Sequence, residues 1–199
     1  MTMSASAPRL ERLSPTRRVS LLSERRAGSE IGAPAANPSV TIRNRQRTWA
    51  VDLRLLRAVV RELFNELPLV EEAELGVFLV AAPEMTRLNQ TFLHHAGSTD
   101  VITFDYADHA SRITRHAPAV HGEIFICVDE AIRQARRFRT TWQSELVRYI
   151  VHGVLHLMGH NDHRASVRRK MKREENRLLR RLASRFPLSR LAGKSKLLA

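Results

Sequence analysis

The run His152-Gly153-Val154-Leu155-His156-Leu157-Met158-Gly159-His160-Asn161-Asp162-His163 constrains this chain more than any other. Two histidines four residues apart share one face of a helix, one turn from each other. Two neutral imidazoles so placed can hold one metal ion. Gly159 stands three residues after His156. A glycine there can take positive φ, end the helix and turn the chain back, so that a third ligand closes the site. Asp162 lies six residues after His156, His160 four and His163 seven. A lone histidine on an apolar face is usually a satisfied core residue. Four histidines and an aspartate around a glycine break are not explained by packing. Zinc suits imidazole ligands, and nickel, iron or copper would accept them too.

The surrounding pattern predicts a mixed α/β (α+β) domain over residues 39–186, with a small sheet of about four strands flanked by helices. Val40–Arg47 reads as an edge strand. Asp52 caps a helix to about Leu67, with Leu53, Leu56, Val60, Leu63, Phe64 and Leu67 at helical spacing. Leu75–Ala81 is a buried strand, and Pro83 opens a helix through Glu84–Phe92. Thr99–Phe104 is a strand with Ile102 and Phe104 on one face. Residues 105–121 form a loop, Glu123–Val128 a third apolar strand, and Asp129 caps a helix over Glu130–Phe138. The histidine helix runs from Ser144 to about Met158. Residues 164–186 form a basic helix with Met171, Leu178 and Leu182 inward, which Pro187 stops. Residues 1–38, rich in Ser, Ala, Pro and Arg, read as a disordered basic extension. Residues 187–199 read as a flexible basic tail.

Charge is unevenly placed. Residues 164–199 hold nine Arg and four Lys against two Glu, net +11, whereas residues 39–163 hold fourteen Arg against fifteen acids, net −1. A patch that basic favours polyanions, RNA or DNA above all. No apolar run approaches the length of a membrane span. Ser20-Leu21-Leu22 is too short for a signal-peptide core. The single cysteine, Cys127, excludes an intramolecular disulfide framework. These features predict a cytoplasmic chain that meets no membrane.

The pattern His-x-x-x-His-x-x-Gly-x-x-Asp resembles the zinc helix of metzincin-like proteases, so the metal helix is zincin-like. Those proteases carry Glu after the first histidine as general base. Here that place is Gly153. Three blocks widen the comparison: Leu88-Asn89 followed by Ser98-Thr99-Asp100-Val101-Ile102-Thr103-Phe104, then Gly122-Glu123-Ile124-Phe125-Ile126-Cys127, then Glu145-Leu146. With His152-Gly153-x-Leu155-His156-Leu157-x-Gly159 they resemble the signature of the YbeY family, the bacterial rRNA-maturation endoribonucleases, over about residues 40–180. The resemblance implies one Zn²⁺ ion held by three side chains. It implies cleavage of single-stranded RNA, maturation of rRNA ends (notably the small-subunit 3′ end), work with the ribosomal small subunit, and ribosome quality control.

Two departures from that family are visible. Many members place a third histidine six residues after the second; here Asp162 holds that register and His163 comes one place later. His152, His156 and Asp162 are therefore the expected ligands, with His163, then His160, as alternatives. Many members also have Arg after the aromatic that follows Leu-Asn; here Phe92 is followed by Leu93, then His94-His95. Asp100 and His95 are the catalytic candidates, Asp100 to orient a histidine or water and His95, with His94, to contact phosphate. Asp100 reads equally as a strand-end cap, and exposed loop residues are the plainer reading of His94 and His95. His109, His116 and His121 read as solvated. Glu123 is the nearest general-base candidate, although a structural place on its strand suits it better. Trp49 and Trp142 suit packing better than base stacking. Against the nuclease stand a metzincin-like metalloprotease, which would lack its base, and a non-catalytic ribosome-associated metal protein.

Overall fold

The computed structural model describes residues 18–20, 38–67, 70, 72–107, 119–160, 162 and 164–193. Five strands, β1 (Arg18–Ser20), β2 (Ser39–Asn44), β3 (Ala73–Val80), β4 (Val101–Asp105) and β5 (Val120–Cys127), form one sheet in the order β1-β4-β5-β3-β2. β2, β3 and β5 run parallel, β4 is antiparallel to β5, and β1 is parallel to β4. The mixed sheet agrees with the sequence. The added strand is β1, three residues long, inside the stretch read as an unstructured extension. Short edge strands carry little hydrophobic pattern, so nothing in Arg18-Val19-Ser20 announced it.

The helices are α1 (Leu53–Glu66), α2 (Ala82–Leu93), α3 (Val128–Phe138), α4 (Trp142–Leu157) and α5 (Ala165–Arg185). Asp52 caps α1 as expected, its Oδ1 accepting from Arg54 N and Leu55 N at 2.9 and 3.0 Å. Asp129 does not cap its own helix. α3 begins one residue earlier, at Val128, and Asp129 Oδ2 accepts instead from Ala82 N, 2.7 Å away, at the first turn of α2. The orphan N–H groups of α2 thus find a carboxylate on a neighbour. No local sequence rule reports that pairing.

Alternation along the strands splits the apolar residues into two layers. Leu75, Val77, Leu79, Ile124 and Ile126 face α1, α4 and α5 in the larger core. Val80, Ile102, Phe104, Phe125 and Cys127 face the other way, against Met85 and Leu88 of α2. α5 buries Met171, Leu178 and Leu182, the three residues the sequence assigned to its inner face. Past Pro187 the expected flexible tail is partly folded. Leu188–Leu191 makes a 3₁₀ turn whose Leu188 and Leu191 enter the larger core, and Ala192 bridges to Val51. The basic residues of that segment mask, in its sequence pattern, two leucines three residues apart.

Candidate metal centre

α4 lies flat on the sheet, and Gly153 is the reason it can. A Cβ at Gly153 would stand 2.8 Å from Ile124 Cδ1 and 3.1 Å from Thr103 Cγ2. At Gly122 a Cβ would meet Phe104 O and stand 2.8 Å from Leu157 Cδ2. Two glycines, one on the helix and one on β5, let the backbones approach. The glycine in the protease general-base position is therefore a packing contact with no room for a carboxylate side chain.

The helix ends in a Schellman turn. His160 N donates to Leu155 O at 3.0 Å and Gly159 N to His156 O at 2.9 Å, with Gly159 at φ 93°. This is the left-handed residue the sequence predicted. The turn brings Asp162 back over the helix. The ligand atoms of His152, His156 and Asp162 all lie within 4.8 Å of one another. His163 lies outside the described residues, as do His109 and His116.

Both imidazoles are buried and held from outside. His152 Nδ1 lies 3.2 Å from Glu175 Oε2, and His156 Nδ1 lies 3.1 Å from the carbonyl oxygen of His160. Each Nδ1–H therefore has an acceptor, which leaves Nε2 as the lone-pair nitrogen on both rings. The two Nε2 atoms face each other at 3.1 Å. Two imidazole nitrogens on one tetrahedral zinc, each at about 2.0–2.1 Å, would stand about 3.3 Å apart. Residues, tautomers and spacing fit one divalent ion. His160, an alternative ligand by sequence, contributes a backbone carbonyl to this arrangement.

Glu175 was not legible as a site residue. Buried on the inner face of the basic helix α5, it also accepts from Arg148 Nη1 at 2.6 Å and Lys172 Nζ at 2.7 Å. Burial alone would raise its pKa; the hydrogen bond from His152 and the charge and hydrogen bond of Lys172 more than offset this and hold it at about 2. Arg148 in turn sits 3.4 Å from Glu145, whose Oε1 accepts from Thr140 Oγ1 at 2.7 Å. A buried chain of charges thus runs under the histidines. The available signal was position: Glu175 falls between Met171 and Leu178 in the apolar stripe of α5.

Asp100 is buried at the start of β4. Its Oδ1 accepts from Val101 N at 3.0 Å and Thr99 Oγ1 at 3.1 Å, while Oδ2 has no hydrogen-bond partner among the described residues. Burial pushes its carboxyl up, and the hydrogen bonds from Thr99 and Val101 pull it back in part. The loop before it is braced by the Leu-Asn block: buried Asn89 donates from Nδ2 to Gly97 O at 2.8 Å, and His95 N donates to Asn89 O at 3.3 Å. His94 and His95 themselves are exposed, His94 as the left-handed cap of α2. The structure does not gather them with His152 and His156. Leu93 packs against the smaller core. Glu123 accepts from Tyr106 Oη at 3.0 Å, and exposed His121 lies 3.4 Å from Glu74. Trp49 and Trp142 pair with ring centroids 6.5 Å apart.

The basic helix divides in two. Arg177, Arg181 and Arg185, in its C-terminal half, pair with Glu62 and Glu66 of α1. Arg169, Lys170 and Arg173, in the first half that follows Asp162, are exposed and form no ion pair with the described residues.

A mixed sheet carrying a histidine helix followed by a glycine turn defines the class: an α/β protein in which His152, His156 and Asp162 could hold a metal ion. Comparison with known proteins gives the family. The model described as Endoribonuclease YbeY matches residues 41–183, and the chain belongs to that family. It is 30% identical over 149 residues to the endoribonuclease YbeY of Syntrophotalea carbinolica, covering 74% of this chain and 97% of that one. It is 37% identical over 100 residues to the Chlorobium phaeovibrioides protein of the same name, covering 50% of this chain. The match spans 62% of that relative's length and 64% of the Chlorobium luteolum one. The solution structure of TM1509 from Thermotoga maritima shares the fold, with a TM-score of 0.53 and 22% identity over 80% of this chain and 99% of that one. Among the described residues no helix is long and apolar enough to cross a membrane.

Proposed function

We propose that this chain is a metal-dependent endoribonuclease that cuts single-stranded RNA, with one Zn²⁺ held by His152, His156 and Asp162. The observation that carries the reading is the pair of Nε2 atoms 3.1 Å apart on rings whose Nδ1 atoms are already committed. Membership of the endoribonuclease YbeY family supports the reaction class. A bound zinc would supply Lewis acidity toward the phosphodiester. The chain's own residues do the rest. Glu175 and the His160 carbonyl fix both imidazoles in one tautomer and orientation. Asp100, within electrostatic reach of His152, is a positioning group for that ring or for a water. Arg169, Lys170 and Arg173 draw the phosphate backbone to the Asp162 end of α5 without reading sequence.

The same reading extends to rRNA maturation at the small-subunit 3′ end, to ribosome quality control, and to a cytoplasmic site of action. Gly153, packed on Ile124, argues against a metzincin-like protease. Membership of the family described as Endoribonuclease YbeY favours an enzyme over a non-catalytic ribosome-associated metal protein. The test is bound metal and cleavage of matched single- and double-stranded RNA by the wild type and His156→Ala. Cleavage by His156→Ala at the wild-type rate would sink the proposal.

A further inference from the structure

Two large apolar side chains among the described residues are exposed, and one of them, Trp49, stands in a basic setting. Its ring partner Trp142, the first residue of α4, packs against the larger core. Trp49 meets Trp142 with the ring planes tilted by 43° and remains 39% exposed. Packing therefore accounts for Trp142 and leaves part of Trp49 in water.

The loop that carries Trp49 is held by a buried side chain. Gln46, 5% exposed, accepts from Trp49 N at 2.9 Å through Oε1. Its Nε2 donates to Trp49 O at 2.7 Å and to Asn44 Oδ1 at 2.9 Å. The residues that follow are tied down as well: Val51 bridges to Ala192, and Gly193 N donates to Ala50 O at 3.1 Å. Both backbone polar groups of Trp49 are thus taken, and its ring is carried on a preorganised loop. A ligand that meets the ring does not have to order the chain first.

Charge selects the ligand. Three segments meet around the tryptophan pair: the loop after β2, the turn between α3 and α4, and the 3₁₀ turn, which Gln143 Nε2 ties to α4 by donating to Ser189 O at 3.2 Å. They bring Arg47, Arg139 and Arg190, all exposed and without an ion pair to the described residues. The acids nearest in sequence are committed, Asp52 to the cap of α1 and Glu145 to Thr140 and Arg148. Unpaired arginines favour a polyanion. An aromatic ring among them receives an unstacked base, whichever base it is. A duplex keeps its bases stacked on one another and offers the ring none.

We infer that Trp49 is a stacking platform for one unpaired base of an RNA strand, with Arg47, Arg139 and Arg190 on the neighbouring phosphates. The inference rests on the nuclease reading and adds a second foothold to it. α4 joins the two places: at about 1.5 Å per residue, Trp142 lies roughly 15–21 Å along the helix axis from His152 and His156. The foothold holds a single strand without reading its sequence.

Trp49 and Trp142 are the only tryptophans of the chain, so tryptophan emission reports on this place alone. The test titrates the zinc-loaded full chain with a 2′-O-methyl single strand of mixed sequence and with the matching duplex, reading emission and anisotropy together. The single strand should quench emission as it binds, both in the wild type and in Trp142→Phe, where Trp49 alone emits. The duplex should not. Trp49→Ala should bind the strand about tenfold more weakly at unchanged zinc content, and Trp49→Phe should recover most of that loss. Arg47→Ala or Arg190→Ala should lower the slope of log affinity against log salt by about 1. Binding without quenching, equal quenching by strand and duplex, or wild-type affinity in Trp49→Ala overturns the platform, while cleavage of an unmodified single strand leaves the nuclease reading standing. Failure to bind or cut any RNA overturns both.

Discussion

His152 and His156 are buried, and each is gripped at Nδ1 by a second group; His94 and His95, at the end of α2, are exposed and stand outside the group that His152 and His156 form with Asp162. The first pair sits on a rigid helix between the sheet and α5. The second sits on a loop whose backbone, rather than its imidazoles, is held by Asn89. Histidine count alone treats the four as equals. Geometry separates a preorganised centre from solvent-facing side chains, and it predicts very different costs for changing them.

The largest effect is expected at the gripped pair. His156→Ala should lose its metal on dialysis and cut RNA no faster than a no-protein control, read by metal analysis and a gel assay. Next comes the grip itself. Glu175→Gln keeps volume and removes the charge, and zinc affinity measured by chelator competition should fall about 10- to 100-fold with the helical circular dichroism intact. A wild-type zinc affinity in that variant would mean the Glu175 contact is incidental. Gly153→Ala forces α4 off Ile124 and should cost about 1–3 kcal/mol, or roughly 2–12 °C in Tm. An unchanged Tm would show that the helix and sheet have slack at that contact. Smallest of all, His94→Ala and His95→Ala should each change the cleavage rate by less than about twofold, in line with exposed residues outside the His152, His156 and Asp162 group. A large loss at either would place the loop in the chemistry and break the contrast.

Much of the fold was readable because the relevant signals are local. Asp52 before an apolar periodic run, Pro83 at a helix start, alternation in β3 and β5, and Gly159 after His156 each act within a few residues. His152 and His156 belong to that group, since the helix alone aligns them. What escaped depends on elements meeting in space. Glu175 looks like one acid among many bases until α5 packs on α4. Asp129 looks like a cap for its own helix until α2 presents Ala82 N. The arginines of α5 look like one continuous track, and only packing shows α1 neutralising the later ones. Leu93 in place of the Arg found in many family members was visible, and its partial burial in the smaller core explains what a leucine does there.

For the third ligand the sequence offers Asp162 and His163, and the described geometry gathers Asp162 with the two histidines. The decisive measurement is the zinc stoichiometry of Asp162→Ala beside the wild type after dialysis against a weak chelator. About one zinc per chain is expected in the wild type, with near-complete loss in Asp162→Ala. Full zinc retention by Asp162→Ala would contradict that ligand assignment.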